Sequence, residues 1–269
     1  MRTHMTALVA AVAVSLAASA SSASPADAQT RVREEFNWSG TVQAGRSVEV
    51  HSINGGIRAE RSAGSQVELV AVKSARRSDP SEVAIEVIEH AGGVTICAVY
   101  PTPAGRDPNE CGPGVYEMNT RDNDVSVEFT LRIPDGVHLN ARSTNGGIEA
   151  EGLTGDVDAR TTNGGISITT AGFATARTTN GPIDVTLGDL RGTEDLEFRT
   201  TNGAISVTVP GNLNADLTAS TTNGRISSDL PIMVQGSFGP RRLEGVIGSG
   251  GRRIVLQTTN GNVTLRSSR

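Results

Sequence analysis

Few side chains in this sequence are of a type and spacing that could do chemistry. Beyond the N-terminal segment there are three histidines, His51, His90 and His138, at scattered offsets. No Gly-x-Ser-x-Gly nucleophile elbow stands near any of them, so they read as surface or strand-edge residues. Asp122 and Asp124, with Asn119, Asn123 and Glu117, offer oxygen atoms to a calcium ion. They lack the ordered spacing and mid-loop glycine of an EF-hand. Gly248 to Gly251 leads into Arg252-Arg253, not into the aspartate of a calcium-binding nonapeptide repeat. Glycoside hydrolysis needs two carboxylates at a defined separation, and Asp158, Asp184 and Glu197 are the candidates. Five Phe, two Tyr and one Trp leave few rings to stack on sugars. The sequence points to no catalytic, cofactor-binding or metal-binding residue.

Two groups stand out. Arg142, Arg160, Arg177 and Arg199 each lie three residues before an asparagine of a repeated motif, followed at that offset by Ser220 and Gln257. Stacked in a sheet they would form a guanidinium ladder about 4.8 Å per step. Such a ladder is either neutralised by neighbouring Glu149, Asp158, Asp184 and Glu197, or serves as a strip for a repeating anion, an acidic glycan or lipid head group. Cys97 and Cys111 are the only cysteines and bracket a run containing Pro101, Pro103, Gly105 and Pro108. No His or Cys stands at ligand spacing beside them, so a disulfide closing the 97–111 loop is expected over a free thiol pair or half a metal site.

What must position these residues is a repeat. Thr-Thr-Asn-Gly-x-Ile-x-apolar recurs with its asparagine at Asn145, Asn163, Asn180, Asn202, Asn223 and Asn260, and an isolated copy holds Asn54. The steps between the six are 18, 17, 22, 21 and 37 residues, with Pro231 to Gly251 as an insertion in the last. Six residues before the asparagine stand Val48, Leu139, Val157, Ala174, Leu196, Leu217 and Ile254; three after it stand Ile57, Ile148, Ile166, Ile183, Ile205, Ile226 and Val263. Period-two alternation on both sides means strand, corner, strand with one buried face. Asn and Gly tolerate positive φ, the expected reason for their place at the corner. Second corners fall at Thr154-Gly155, Ala171-Gly172, Arg191-Gly192 and Pro210-Gly211. An all-β solenoid, one coil per repeat over residues 137–265, satisfies this pattern. The alternative is an antiparallel meander or β-sandwich with Asn-Gly as type I′ hairpin turns. The solenoid is favoured because the whole string is preserved, as like-on-like stacking requires. Residues 66–134 lack the motif but alternate as strands continuing the same sheets.

Composition agrees. The 269 residues are 3% aromatic, with 31 glycines and a formal charge of −5, which argues against non-specific nucleic-acid binding. Arg2 and the small apolar run Ala7 to Ala18 read as a secretory signal cleaved after Ala28, with Ala18-Ser19-Ala20 as the rival site. The run is too short for a bilayer, which takes about 20 apolar residues, and no second hydrophobic stretch follows, so the mature chain carries no transmembrane segment. One domain, 29–269, is expected after the signal peptide 1–28.

Phe36-x-Trp38-Ser39-Gly40, Val48-Glu49-Val50, Asn54-Gly55-Gly56-Ile57, Val94 to Pro101, Asp124-Val125-Ser126-Val127 and the Asn-Gly repeats together resemble the bacterial β-strand-repeat proteins of unknown function grouped as an adhesin-like domain family. The resemblance runs from about Phe36 to Leu265 and implies an extracytoplasmic β-helix-like domain in the periplasm or at the cell surface. It carries no catalytic residues. The function expected is an exported, non-enzymatic structural or adhesin-like module at the cell envelope. The alternative is a polysaccharide-acting β-helix lyase or hydrolase.

Overall fold

A computed structural model describes residues 32–115, 118–188, 190, 193–234 and 239–268. The expected signal peptide and the second corner at Arg191-Gly192 lie outside the described residues.

Among the described residues the asparagine repeats form seven two-stranded coils. The strand before each asparagine joins an eleven-stranded sheet and the strand after it a ten-stranded sheet. In chain order the coils are Ser47–Asn54 with Ile57–Arg61, His138–Asn145 with Ile148–Leu153, Val157–Asn163 with Ile166–Thr170, and Ala174–Arg177 with Ile183–Leu187. Leu196–Arg199 with Ile205–Pro210, Ala215–Asn223 with Ile226–Ser228, and Arg252–Asn260 with Val263–Ser268 complete the set. Coil pairs with coil in parallel and in register, so Ile57, Ile148, Ile166, Ile183, Ile205 and Val263 stack as one buried column. The inward columns of both sheets merge into one aliphatic core. The protein is an all-β solenoid; the meander, which needs antiparallel neighbours at every repeat, is not what forms.

The corner is built for stacking. Each asparagine Nδ2 donates to the Oδ1 of the next coil's asparagine at 2.7–2.9 Å, in the order Asn223, Asn260, Asn202, Asn180, Asn163, Asn145, Asn54. The hydroxyl two residues earlier is buried. Ser143, Thr161, Thr178, Thr200, Thr258 and Thr221 each donate to the carbonyl of the neighbouring coil's corner glycine at 2.8–3.0 Å. A Cβ on Gly146, Gly164, Gly181, Gly203, Gly261 or Gly224 would lie 1.9–2.2 Å from that same kind of carbonyl oxygen. Positive φ is not the common reason for the motif. The only non-glycine residue at positive φ among those described is Asp122, and of the corner glycines Gly55, Gly181 and Gly261 lie at positive φ while Gly146, Gly164, Gly203 and Gly224 do not. Glycine is required because backbones approach closely, and asparagine because its amide both donates and accepts along the column.

Coil order departs from chain order once. The Asn260 coil sits between those of Asn202 and Asn223, and the insertion's strands, Ile232–Val234 and Arg242–Ile247, pair antiparallel at the end of the eleven-stranded sheet. At the other end the motif-free region continues both sheets. Gly93–Val99 lies parallel to Ser47–Asn54, and Ser126–Ile133 parallel to Ile57–Arg61. These two strands form a further coil whose corner is replaced by the excursion of residues 100–125. Antiparallel strands Ala84–His90, Val67–Ala75 and Val32–Gly40 then close this end, and their glutamates blunt the sheet edges.

Candidate functional site

The arginine row forms. Three residues before each asparagine, side chains on the outer face of the eleven-stranded sheet line up as His51, Arg142, Arg160, Arg177, Arg199, Gln257 and Ser220, and the column runs on into Cys97 at one end and Arg242 at the other. Asp158 lies between the first pair of arginines, at 3.6 Å from Arg142 and 3.1 Å from Arg160. Glu197 lies between the second pair, at 2.7 Å from Arg177 and bonded also to Arg199. Burial raises the Glu197 carboxyl, but the hydrogen bond and charge of Arg177 and the charge of Arg199 outweigh it and hold it below its ordinary range. Among the described residues Asp158 is thus shared by Arg142 and Arg160, and Glu197 by Arg177 and Arg199. Glu149 and Asp184 do not take part. They project from the other sheet, where Glu149 pairs with Arg58. The same separation dismantles the triplet of carboxylates: Asp158 and Glu197 share a face, two strands apart and each clamped by arginines, while Asp184 faces the opposite way.

The column is not evenly exposed. Side-chain exposure is 44% at Arg199, 47% at Arg177 and 43% at Arg160, then falls to 23% at Arg142 and 4% at His51. The cover is the excursion that follows Gly93–Val99. A disulfide joins Cys97 to Cys111 and ties the excursion down at the end of the column. The Gly114 N–H donates to Glu49 Oε2 at 3.3 Å, and Tyr100 Oη reaches the carbonyls of Val125 at 2.9 Å and Asn54 at 3.3 Å. Asn109 ties the excursion to itself, donating to the carbonyls of Tyr100 at 2.9 Å and Asn119 at 2.7 Å. Between this roof and the strip lies a recess of about 200 Å³ lined by His51, Met118, Arg142, Thr144, Arg160 and Thr162.

Residues 112–266, more than half of the sequence, match the family described as Toastrack DUF4097. The chain belongs to that family. No curated protein matches it significantly. Among solved structures, a putative cell adhesion protein from Clostridium sporogenes is 9% identical at a TM-score of 0.50, covering 87% of this chain and 100% of that one. A putative adhesin from Bacteroides fragilis is 11% identical at a TM-score of 0.33, covering 87% and 97%. The first of these likenesses supports the fold.

In this Toastrack chain the histidines are not brought to one centre. His51, expected near the surface, is buried under the roof, 3.7 Å from Glu49. Burial, aided by the Arg142 charge, outweighs Glu49 and pulls its pKa down to about 4. His90 bonds Thr95 Oγ1 at 3.1 Å, and His138 Nδ1 accepts the Asp156 N–H at 2.9 Å. The calcium candidates are used otherwise. Asp124 accepts the N–H of Ser78 at 2.8 Å and of Arg77 at 3.2 Å, bonds that draw its carboxyl down to about 2. Asn123 bonds Glu82, Asn119 bonds Asn109, and Asp122 points away beside Arg121; Glu117 lies outside the described residues. Among the described residues no group of His, Cys, Asp or Glu is placed to hold a metal. Nor is any helix there long and apolar enough to cross a membrane. The roof is the feature sequence reasoning missed. Its signal was Tyr100-Pro101 breaking the strand level with the asparagine column.

Proposed function

We propose that this chain is an exported, non-enzymatic interaction module of the cell envelope that binds an anionic glycan along the arginine strip. Residues 1–28 act as the signal peptide and 29–269 as the single mature domain, working in the periplasm or at the cell surface. The observation that carries the reading is the in-register ladder of Arg142, Arg160, Arg177 and Arg199 on one outer face, with Arg160, Arg177 and Arg199 more than 40% exposed. Guanidinium groups suit oxyanions because their paired donors match carboxylate and sulfate geometry. The adhesin names carried by the solved neighbours agree with a binding role. A glycan is favoured over a lipid surface because the exposed large apolar side chains among the described residues, Val32, Val115, Met233 and Val234, are dispersed over three separate segments instead of lining the column. A non-enzymatic role is supported by Asp158 and Glu197 being spent on arginines, leaving neither set up as a general acid.

Titration of heparin against the parent and an Arg160→Gln/Arg177→Gln double variant tests this. Binding should weaken with salt, since exposed charges are screened beyond about 8 Å at physiological ionic strength. It should be lost in the double variant, whose melting temperature stays close to the parent's because exposed pairs are worth about 0–1 kcal/mol each. Absence of salt-dependent binding in the parent would overturn the proposal.

A further inference from the structure

We infer that Asn223 is a self-modifying site: its side-chain amide is lost to attack by the Gly224 nitrogen, leaving aspartate and isoaspartate, while the six other corner asparagines are held against the same reaction. The inference stands apart from the arginine strip and rests on the corner column alone.

The chemistry belongs to the dipeptide. All seven corners read Asn-Gly, and glycine sets no side chain beside its nitrogen and lets the backbone turn toward the preceding residue. The nitrogen, once its proton has passed to solvent base, bonds to the asparagine Cγ. The Cγ–Nδ2 bond breaks, ammonia leaves and a five-membered succinimide remains. Water then opens the ring at either carbonyl. One ammonia is lost and one water gained, and nothing is oxidised or reduced.

What differs between corners is the state of the glycine nitrogen. From Gly55, through Gly146, Gly164, Gly181 and Gly203, to Gly261, each N–H donates to the asparagine carbonyl of the neighbouring coil at 2.8–3.0 Å. A nitrogen so held must first leave that bond to reach its own side chain. The bonds all run toward the Asn223 coil, so that coil gives none. Among the described residues the Gly224 N–H meets no acceptor and no amide donates to Asn223 Oδ1, although Asn223 is exposed to water. The opposite end of the column is closed. Gly55 N–H is bonded, Asn54 Oδ1 accepts Asn145 Nδ2 at 2.9 Å, and the Asn54 carbonyl accepts Ser52 Oγ at 3.2 Å and Tyr100 Oη at 3.3 Å.

The exchange of the last two coils decides which corner is open. In chain order the Asn260 coil would be outermost and Gly261 would lack an acceptor. Folded back between the coils of Asn202 and Asn223, Asn260 is covered on both sides. Conversion also has a structural effect. A carboxylate cannot supply the N–H that Asn223 now gives to Asn260 Oδ1 at 2.7 Å. Isoaspartate adds a carbon to the main chain beside Gly224, where a Cβ would already lie 1.9 Å from Gly261 O. The outermost coil is therefore the first to loosen as the protein ages.

The folded protein, held in mildly alkaline buffer and sampled over time, tests this by digestion at arginine and tandem mass spectrometry. Residues 200–225 fall in one peptide, so fragment ions separate Asn202 from Asn223. The expected result is conversion at Asn223 about tenfold or more faster than at any other corner, because the others react only when a bonded coil opens. In guanidinium chloride the seven corners should convert at comparable rates, which assigns the difference to the fold. Asn223→Gln should remove the early acidic form separated by ion exchange. Asn260 as the fast site, conversion spread evenly over the folded corners, or an acidic form that persists in Asn223→Gln would overturn the inference. A lead of the same size for Asn223 in guanidinium chloride would overturn it too, by placing the cause in the local sequence. Should Asn223→Gln fold poorly, the peptide maps of the unsubstituted chain, folded and unfolded, decide the matter.

Discussion

Replacing Gly203 by alanine separates two physical reasons for a corner glycine. Gly203 does not lie at positive φ, so if backbone freedom were its purpose the substitution would be neutral or stabilising by about 0.4–1 kcal/mol. The structure requires the opposite. The new Cβ would fall 1.9 Å from Gly181 O and 2.4 Å from its carbonyl carbon, against a tolerable approach of 3.0 Å or more. Opening the corner by about 1 Å stretches bonds that now sit at ideal length. These are the Gly181 N–H to Asn202 O and the Gly203 N–H to Asn260 O, both 2.9 Å, and Thr200 Oγ1 to Gly181 O at 3.0 Å. The Asn202–Asn180 amide bond of 2.8 Å would stretch with them. At about 1 kcal/mol for each bond lost, two to four of them cost about 2–4 kcal/mol. In a domain of this size that lowers the melting temperature by about 4–16 °C. Urea denaturation followed by circular dichroism measures it, with Gly239→Ala as the matched control, since nothing lies within 4 Å of a Cβ built there. A Gly203→Ala protein within about 0.5 kcal/mol of its parent, or one no worse than the Gly239→Ala control, would refute close packing as the reason for the motif.

Two further outcomes are expected. Intact mass of native exported protein under non-reducing conditions should show Cys97 linked to Cys111, and Cys97→Ser/Cys111→Ser should lose about 3 kcal/mol of stability; two free thiols in native material would contradict the structure. His51 should make the protein less stable in acid. Its folded pKa of about 4 lies below the ordinary 6.5, so the unfolded chain binds the proton first and stability falls as pH drops from about 6.5 to 4, by about 3 kcal/mol at full extent. His51→Gln should flatten the stability–pH curve in that window, while below about pH 4 the further loss from protonating Asp124 remains. A slope through pH 5 unchanged in His51→Gln would show that His51 is not the group responsible.

The coil was legible in the sequence because stacking is a one-dimensional constraint. Ile166, Ile183 and Ile205 occupy one position in successive repeats, and that position could be read without knowing what lay opposite. The arginine column was legible for the same reason. What escaped involves residues matched in no repeat. Cys97 completes the column that His51 and the arginines occupy, but its place is set by the pairing of Gly93–Val99 with Ser47–Asn54, strands separated by the whole of 55–92. Burial of His51 follows from that pairing and from the roof, so a histidine that looked superficial is interior. The swap of the last two coils is likewise invisible to repeat spacing. A step of 37 residues fits a coil beyond its predecessor as well as one folded back beneath it. The role of the corner residues was misread for a more general reason. Asn-Gly is so common at positive φ that the pair suggests that use first, whereas a glycine that accommodates a neighbour's carbonyl leaves no separate mark in the sequence.

The arrangement of charges on the strip has its own economy. Parallel in-register stacking sets like on like, so an arginine repeated in four coils is held about 4.8 Å from its copies. Each adjacent pair would repel by about 3–4 kcal/mol at an effective dielectric constant of 20. One carboxylate reaches one coil on either side, so Asp158 and Glu197, two strands apart, are the smallest number that touches every arginine once. That pairing relieves the ladder. It also leaves a seam, because Arg160 and Arg177 are register partners on adjacent strands and no carboxylate bridges them among the described residues. The strip is therefore most positive at that seam, one coil outside the roofed recess. Placing a carboxylate there, by Thr175→Glu between Asp158 and Glu197 in the neighbouring column, should close the seam and abolish polyanion binding, at some cost in stability because it removes the 2.7 Å bond from Thr175 Oγ1 to Asp158 and sets three carboxylates in register. If such a variant binds as the parent does, the uncompensated charge is not what the strip uses.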